Sequence, residues 1–419
     1  MRPAAFTFKA VPKGRKRLTL IRTAHLWQLL IAALLPLLSC GRSVGPTTEI
    51  TFAAALLPSE QAAYKSILEE FTQQTGIQVR LIPQQYAQIR TTIEAEVRAG
   101  RGHLDVVELD VYLLPVMHQQ MLPLDTLIFR RQELSRQVPN DAWEVCFFGD
   151  PEQLLYLPHR LNWQAMIYDA QVLGEPPANW QDLLEVAERH SGAIGFKAAR
   201  YEGLVCDLFP FLWQAGGNPQ HPDSPAARET MDMITALAPH FNSAARSYKE
   251  NSILQAQEHQ EIVLHFNWPF AVPLLRQKNL LPQRFRTAPL PRGPAGGATI
   301  LGGGYLGIPA TAPHPEAAAR LMDYLTSPEA QKRMVSAMGW FPVRPEGWEA
   351  MTDQDREDFA GFLDMRREVR ARPSRIDYQE ISRIWQNGFH DMVFEDADPE
   401  AVLAEMQKRI DEQDDGSQP

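Results

Sequence analysis

The chain has 419 residues, of which 44% are hydrophobic and 22% charged, and carries a formal net charge of −10. That balance suits a globular protein and is too apolar for disorder. Its acidity argues against nucleic acid as a partner, and three cysteines without CxxC or His-rich spacing give no sign of a metal.

Residues 1–22 hold seven basic and no acidic side chains, followed by the apolar run "LWQLLIAALLPLLSC". This is the order of a secretory signal. The run is short for a membrane span, which needs about 20 residues, and Pro36 interrupts it. It ends in Leu37-Leu38-Ser39-Cys40, which resembles the lipobox of bacterial lipoproteins. The resemblance implies a signal over 1–39, lipid attachment at Cys40 and a short polar tether over 40–48. About 380 residues then remain, enough for two lobes.

"EITFAAAL" reads as a strand and "SEQAAYKSILEEFTQQTG" as an amphipathic helix, with Ser59 as its N-cap and Gly76 as its stop. A second strand, "IQVRLIPQ", a helix, "YAQIRTTIEAEVRAG", and a third strand in "LDVVELDVYLL" follow. Alternating strands and helices predict a parallel sheet, with ligands at the carboxyl ends of its strands. Residues of about 170–260 read as mostly helical, strands return at "EIVLHFNW" and around "ILGGGYLG", and the chain ends in helices before a frayed tail over 412–419. Cys146 and Cys206 are the pair left for a disulfide, and their separation in sequence does not decide it.

The stretch 287–346 carries "PLPRG", "LGGGY", "PEAAARL", "LTSPEAQ" and "GWFPVR". In this order these motifs resemble family 1 extracellular solute-binding proteins, the maltose-binding-protein superfamily that feeds ABC importers. "FTQQTGIQV", "LDVVELD", "RYEGLVCDLFPFLWQAGGN" and "RPSRIDYQEIS" fall in the family's order too, so the resemblance spans about 49–411. It implies an α/β, type II periplasmic-binding fold. One lobe would comprise 49–160 plus 304–345 and the other 161–303 plus 346–411, joined by hinge crossovers with the ligand between them. It implies a monomer that binds without turnover, uses no cofactor, and passes a sugar to permease subunits at the outer face of the cytoplasmic membrane. "RYEGLVCDLFPFLWQAGG" is similar to the trehalose/maltose branch, which favours an α-linked disaccharide or related glucoside. The alternatives are a secreted carboxylate-dependent glycosidase and a ligand-sensing lipoprotein.

The same resemblance nominates the contacts. Gly303 and Gly304 would offer backbone groups and Tyr305 a ring; the other reading of this segment is a β-bulge with a buried tyrosine. Asp110 matches a hydroxyl-binding aspartate at a strand end. Glu60, in the first loop after a strand, is a second acidic contact or only a first-turn helix charge. Asn162 matches a polar crossover residue, and Trp163 beside it stacks or fills the hinge. Trp268 in "HFNWPF" is the stacking candidate, although Phe-Asn replaces the family's usual small residues. Arg372 and Tyr378 come from "ARPSRIDY", Glu202 is a weaker candidate, and Trp340 and Arg344 brace the crossover turn.

Overall fold

The computed structural model describes residues 48–416 apart from Phe129; the signal, Cys40 and the tether up to Thr47 lie outside the described residues, as do 417–419. Strand β1 (Glu49–Ala54) leads into a helix at Pro58–Thr75, β2 (Gln78–Pro83) into a helix at Tyr86–Ala99, and β3 (Val106–Asp110) into a tight turn. The first helix begins one residue before Ser59. Pro58 occupies its first turn, where a missing N–H costs nothing, and the Glu60 carboxylate accepts the Leu57 amide at 2.7 Å in place of a serine cap. Gly76, at φ 75°, closes the helix by donating to the Thr72 carbonyl.

A small ribbon pairs β4 (Phe147–Phe148) with β5 (Gln153–Leu154). Next come β6 (Leu157–Trp163) and β7 (Ala165–Asp169), then helices, β8 (Leu264–Asn267), β9 (Phe285–Ala288), β10 (Thr299–Gly307) and finally the short β11 (Val369–Arg370). Two principal sheets result. The first has the order β11-β10-β3-β1-β2, with β6 on the other edge of β10; the second is β8-β7-β9. Strands β1, β2 and β3 are parallel as expected, while β10 runs antiparallel to both β3 and β6.

Only Gln164 separates β6 in the first sheet from β7 in the second, and the chain returns between β9 and β10. The passages therefore fall at 164 and 289–298, not at 160–161 and 303–304. The reason is that β6 and β10 pair from Leu301 to Leu306, which keeps both strands whole within the first sheet. The passages lie side by side: the Thr299 hydroxyl donates to the Gln164 carbonyl at 2.8 Å, and the Thr299 amide to the Glu368 carbonyl at 2.9 Å.

One open question closes and one further expectation changes. Cys146 and Cys206 are both buried and free. The last helix, Pro399–Gly416, runs into the stretch read as a frayed tail, with Leu403, Met406 and Ile410 buried beneath it.

Candidate functional site

Directly opposed residues of an antiparallel pair project to the same face of a sheet, and so do residues two apart on one strand. Gly304 opposes Asp110 on β3 and Arg160 on β6, and Gly302 opposes Asn162. Asp110, Glu108, Arg160 and Asn162 therefore share one face, floored by Gly302 and Gly304. Trp268, at the end of β8 in the other sheet, lays its ring on the same floor, 2.8 Å from where a Cβ on Gly302 would stand.

The glycines answer to this crowding. A Cβ on Gly304 would collide with the Glu108 carboxylate and sit 2.9 Å from Arg160 Nε; one on Gly303 would sit 2.7 Å from the Arg160 carbonyl. None of the three takes a left-handed φ, so it is the missing side chain, not unusual dihedrals, that is required here. Gly304→Ala is expected to destabilise the protein by about 1–3 kcal/mol through overpacking, measured by urea unfolding.

Gly304 lies between β3 and β6, so ladders flank its backbone on both edges. The expectation that its amide and carbonyl are offered to a ligand is corrected accordingly. An opening remains at 301–303, between the last β11 pair at Ile300 and the first β3 pair at Gly304. There the Leu301 carbonyl accepts from Arg372 Nη2 at 3.4 Å. Tyr305 is also corrected: it is 0% exposed within the sheet core and presents no ring to the face. The register does shift between Gly304 and Tyr305, skipping His159, so the bulge with a buried tyrosine is the reading that holds.

That bulge turns two successive β6 residues toward Glu108. Arg160 Nη2 donates to Glu108 Oε1 at 2.7 Å and to the Ala55 carbonyl at 3.1 Å, and His159 Nδ1 meets Glu108 Oε2 at 2.9 Å. The Tyr86 hydroxyl donates to Glu108 Oε1 at 3.2 Å. Burial alone would raise the Glu108 carboxyl; Arg160 and the His159 hydrogen bond outweigh it and hold it down at about 2. Burial lowers His159, so its ring is neutral. With Glu108 ionised, Nδ1 carries the proton and Nε2 accepts from the Tyr64 hydroxyl at 3.0 Å. The Trp340 ring caps the Arg160 guanidinium at 4.0 Å, and its Nε1 donates to Glu60 Oε1 at 2.7 Å. Glu60 is thus 5% exposed and committed to Trp340 and Leu57; it braces this network and does not face the opening.

A second cluster gathers at the carboxyl end of β3. The Arg372 guanidinium, brought by the segment after β11, bonds Asp110 Oδ1 through Nη2 and Glu202 Oε1 through Nη1, the latter at 2.8 Å. Glu202 opens the helix Glu202–Gln214 and also accepts from the Tyr378 hydroxyl at 2.6 Å and the Ser382 hydroxyl at 2.7 Å. Tyr112 lies 4.9 Å from the Arg372 Cζ and 5.9 Å, ring to ring, from Tyr378. Burial raises the Asp110 carboxyl, opposed by Arg372 and reinforced by Glu202.

Of the residues expected from sequence, Asp110, Asn162 and Trp268 come together on one face, with Arg372, Tyr378 and Glu202 at its edge. Asn162 Oδ1 is buried without a hydrogen-bond donor. Trp163 is 2% exposed, packs at 4.6 Å against Phe341 and donates to the Phe362 carbonyl, so it fills the passage between the sheets. Arg344 is 1% exposed and holds Glu133 and the Thr326 carbonyl, away from the face. Sequence reading missed Arg160, Glu108, Tyr86 and Tyr112. The one available signal was the spacing of Arg160 and Asn162, two apart on a strand.

Surface depressions of about 460 Å³ beside Arg130 and about 480 Å³ beside Gly216 lie away from this face. Two α/β sheets joined side by side, with a polar, ring-flanked face at the junction, define the two-lobed type II periplasmic-binding fold. Solved structures share it. Maltose-bound MalE3 of T. maritima is 23% identical, with a TM-score of 0.78 over 87% of this chain and 100% of that one. The GacH receptor of Streptomyces glaucescens, described unliganded and with acarbose, is 16% identical, with a TM-score of 0.77 over 87% and 97%. The maltotriose-bound maltotriose-binding protein of Thermus thermophilus is 17% identical, with a TM-score of 0.74 over 87% and 99%.

The sequence profile described as "Bacterial extracellular solute-binding protein" matches residues 66–350, and the chain belongs to that family. A Deinococcus radiodurans protein described as a "Probable ABC transporter-binding protein" is 22% identical over 395 residues, 86% of this chain and 92% of that one. The protein is accordingly an extracellular solute-binding protein. Among the described residues no helix is long and apolar enough to cross a membrane.

Proposed function

We propose that this protein captures an α-linked disaccharide or related glucoside at the junction of its two sheets and delivers it to a membrane permease. One lobe forms around the six-stranded sheet and the other around β7, β8 and β9. The carrying observation is that Asp110, Asn162 and Trp268, distant in sequence, meet over one glycine floor. The ring stacks on the CH face of a sugar, and the two side-chain oxygens take its hydroxyls; buried hydroxyls need such partners because an unpaired one is costly. Arg372 and Tyr378 supply further polar contacts at the edge.

Closure is driven by contacts that only the closed form makes to the ligand. The protein acts as a monomer, tethered through lipid on Cys40 at the outer face of the cytoplasmic membrane. A hydrolase built on the pair Asp110 and Glu60 is disfavoured, because Glu60 is tied to Trp340 and Leu57. A thermal-shift screen across mono- and disaccharides tests this reading. A true ligand at a hundredfold its Kd should stabilise the protein by about 2.7 kcal/mol, with no glucose released from the disaccharide. If no sugar shifts the transition, the reading falls.

A further inference from the structure

Both arginines at this face are already matched by two carboxylates each. Arg160 stands 2.7 Å from Glu108 and 3.9 Å from Glu60, and Arg372 bonds Asp110 and Glu202. Four carboxylates stand against two guanidiniums, so neither guanidinium is left uncompensated before a ligand arrives. Nearby Arg90 is paired with Glu94, and Arg375 with Asp377, so neither offsets the excess.

Several polar atoms at this face have no partner among the described residues. Asp110 uses Oδ1 for Arg372 and the Tyr112 amide, while its Oδ2 takes no hydrogen bond from the described residues. Asn162 Oδ1 is buried without a donor. Arg372 is 4% exposed, and its Nε–H is buried without an acceptor. The rings of Tyr112 and Tyr378 already flank one cation, Arg372 itself. The vacant capacity thus includes two acceptors, one of them a carboxylate oxygen, beside two buried donors, Arg372 Nε and Arg160 Nε.

We propose that the ligand carries a basic nitrogen: an amino-substituted glycan whose ammonium group rests on Asp110 Oδ2, with hydroxyls reaching Asn162 and Arg372. This rests on the sugar-binding reading above. An ammonium group gives the carboxylate a charge-assisted hydrogen bond, about twice as strong as a hydroxyl's. A uronate or sugar phosphate meets carboxylates with no spare cation, and in a partly desolvated site that repulsion is weakly screened.

Calorimetry on the wild-type chain with trehalosamine, trehalose and trehalose 6-phosphate, and with glucosamine, glucose and glucose 6-phosphate, decides it. The amine should bind about tenfold tighter than its neutral counterpart, and the phosphate about tenfold weaker. The amine's advantage should shrink as salt rises, and Asp110→Asn should bring amine and neutral sugar to within about twofold. Neutral sugars binding as tightly as their amines would overturn the proposal while leaving sugar capture intact. The wild-type comparison stands even if the variant folds poorly.

Discussion

Trp268→Ala is expected to weaken sugar binding by about 30- to 1000-fold, the 2–4 kcal/mol that a buried aromatic anchor commonly carries. The ring is set for this by its supports. Asn267 Oδ1 accepts the Trp268 amide at 2.9 Å, and Asn267 Nδ2 donates to the Glu250 carbonyl at 3.0 Å. Upstream on β8, the buried Lys197 ammonium donates to the Phe266 carbonyl at 2.6 Å and pairs with Asp207 at 2.5 Å. Trp268 is only half-buried, so the ligand-free protein should lose about 1–2 kcal/mol, less than the 3–5 of a fully buried tryptophan. Trp268→Phe should recover most of that stability and part of the affinity. Calorimetry together with urea unfolding separates the two effects, and an alanine variant that binds sugar normally removes Trp268 from the site.

The second large effect is on stability. Glu108→Gln should cost about 3–5 kcal/mol at pH 7, because Arg160 would stay buried with its nearest remaining carboxylate, Glu60, 3.9 Å away. Glu108→Gln combined with Arg160→Met should recover much of the loss, since a buried pair removed whole costs far less than one broken. The pH dependence has a definite sign. The folded carboxyl of Glu108, at about 2, lies below its ordinary value of 4.5. Its contribution is therefore full above pH 4.5 and fades as pH falls toward 2. Burial raises Glu60 and Asp110, whose protonation favours the folded state and tempers that loss. Urea midpoints should show the wild-type margin over Glu108→Gln shrinking between pH 7 and pH 3. A constant margin would refute the assigned ionisation.

Strands β1, β2 and β3 and their helices were legible because short apolar runs alternate with longer amphipathic segments closed by Gly76 and Gly100. Asp110, Asn162 and Trp268 were legible because their motifs sit at strand ends in a recognisable order. The bulge at His159 was not: nothing in "PHRLNW" marks a skipped residue, and without the skip His159 does not join Arg160 in facing Glu108. Tyr305 and Glu60 were misjudged for a related reason. Residue type reports a capacity for stacking or accepting, and only packing reports whether that capacity is already taken, here by the sheet core and by Trp340. The three glycines read as a ligand approach, yet each makes room for a neighbour of this chain.

β10 is bordered by β3 and β6 from far earlier in the chain and by β11 from later. During synthesis, the segment up to Trp163 must wait for the strand that begins at Thr299 before its sheet can close. Contacts so remote in sequence form slowly. For a polypeptide that leaves the cell, such delay is useful: the nascent protein stays threadable through a translocation channel and acquires its final shape only on the far side.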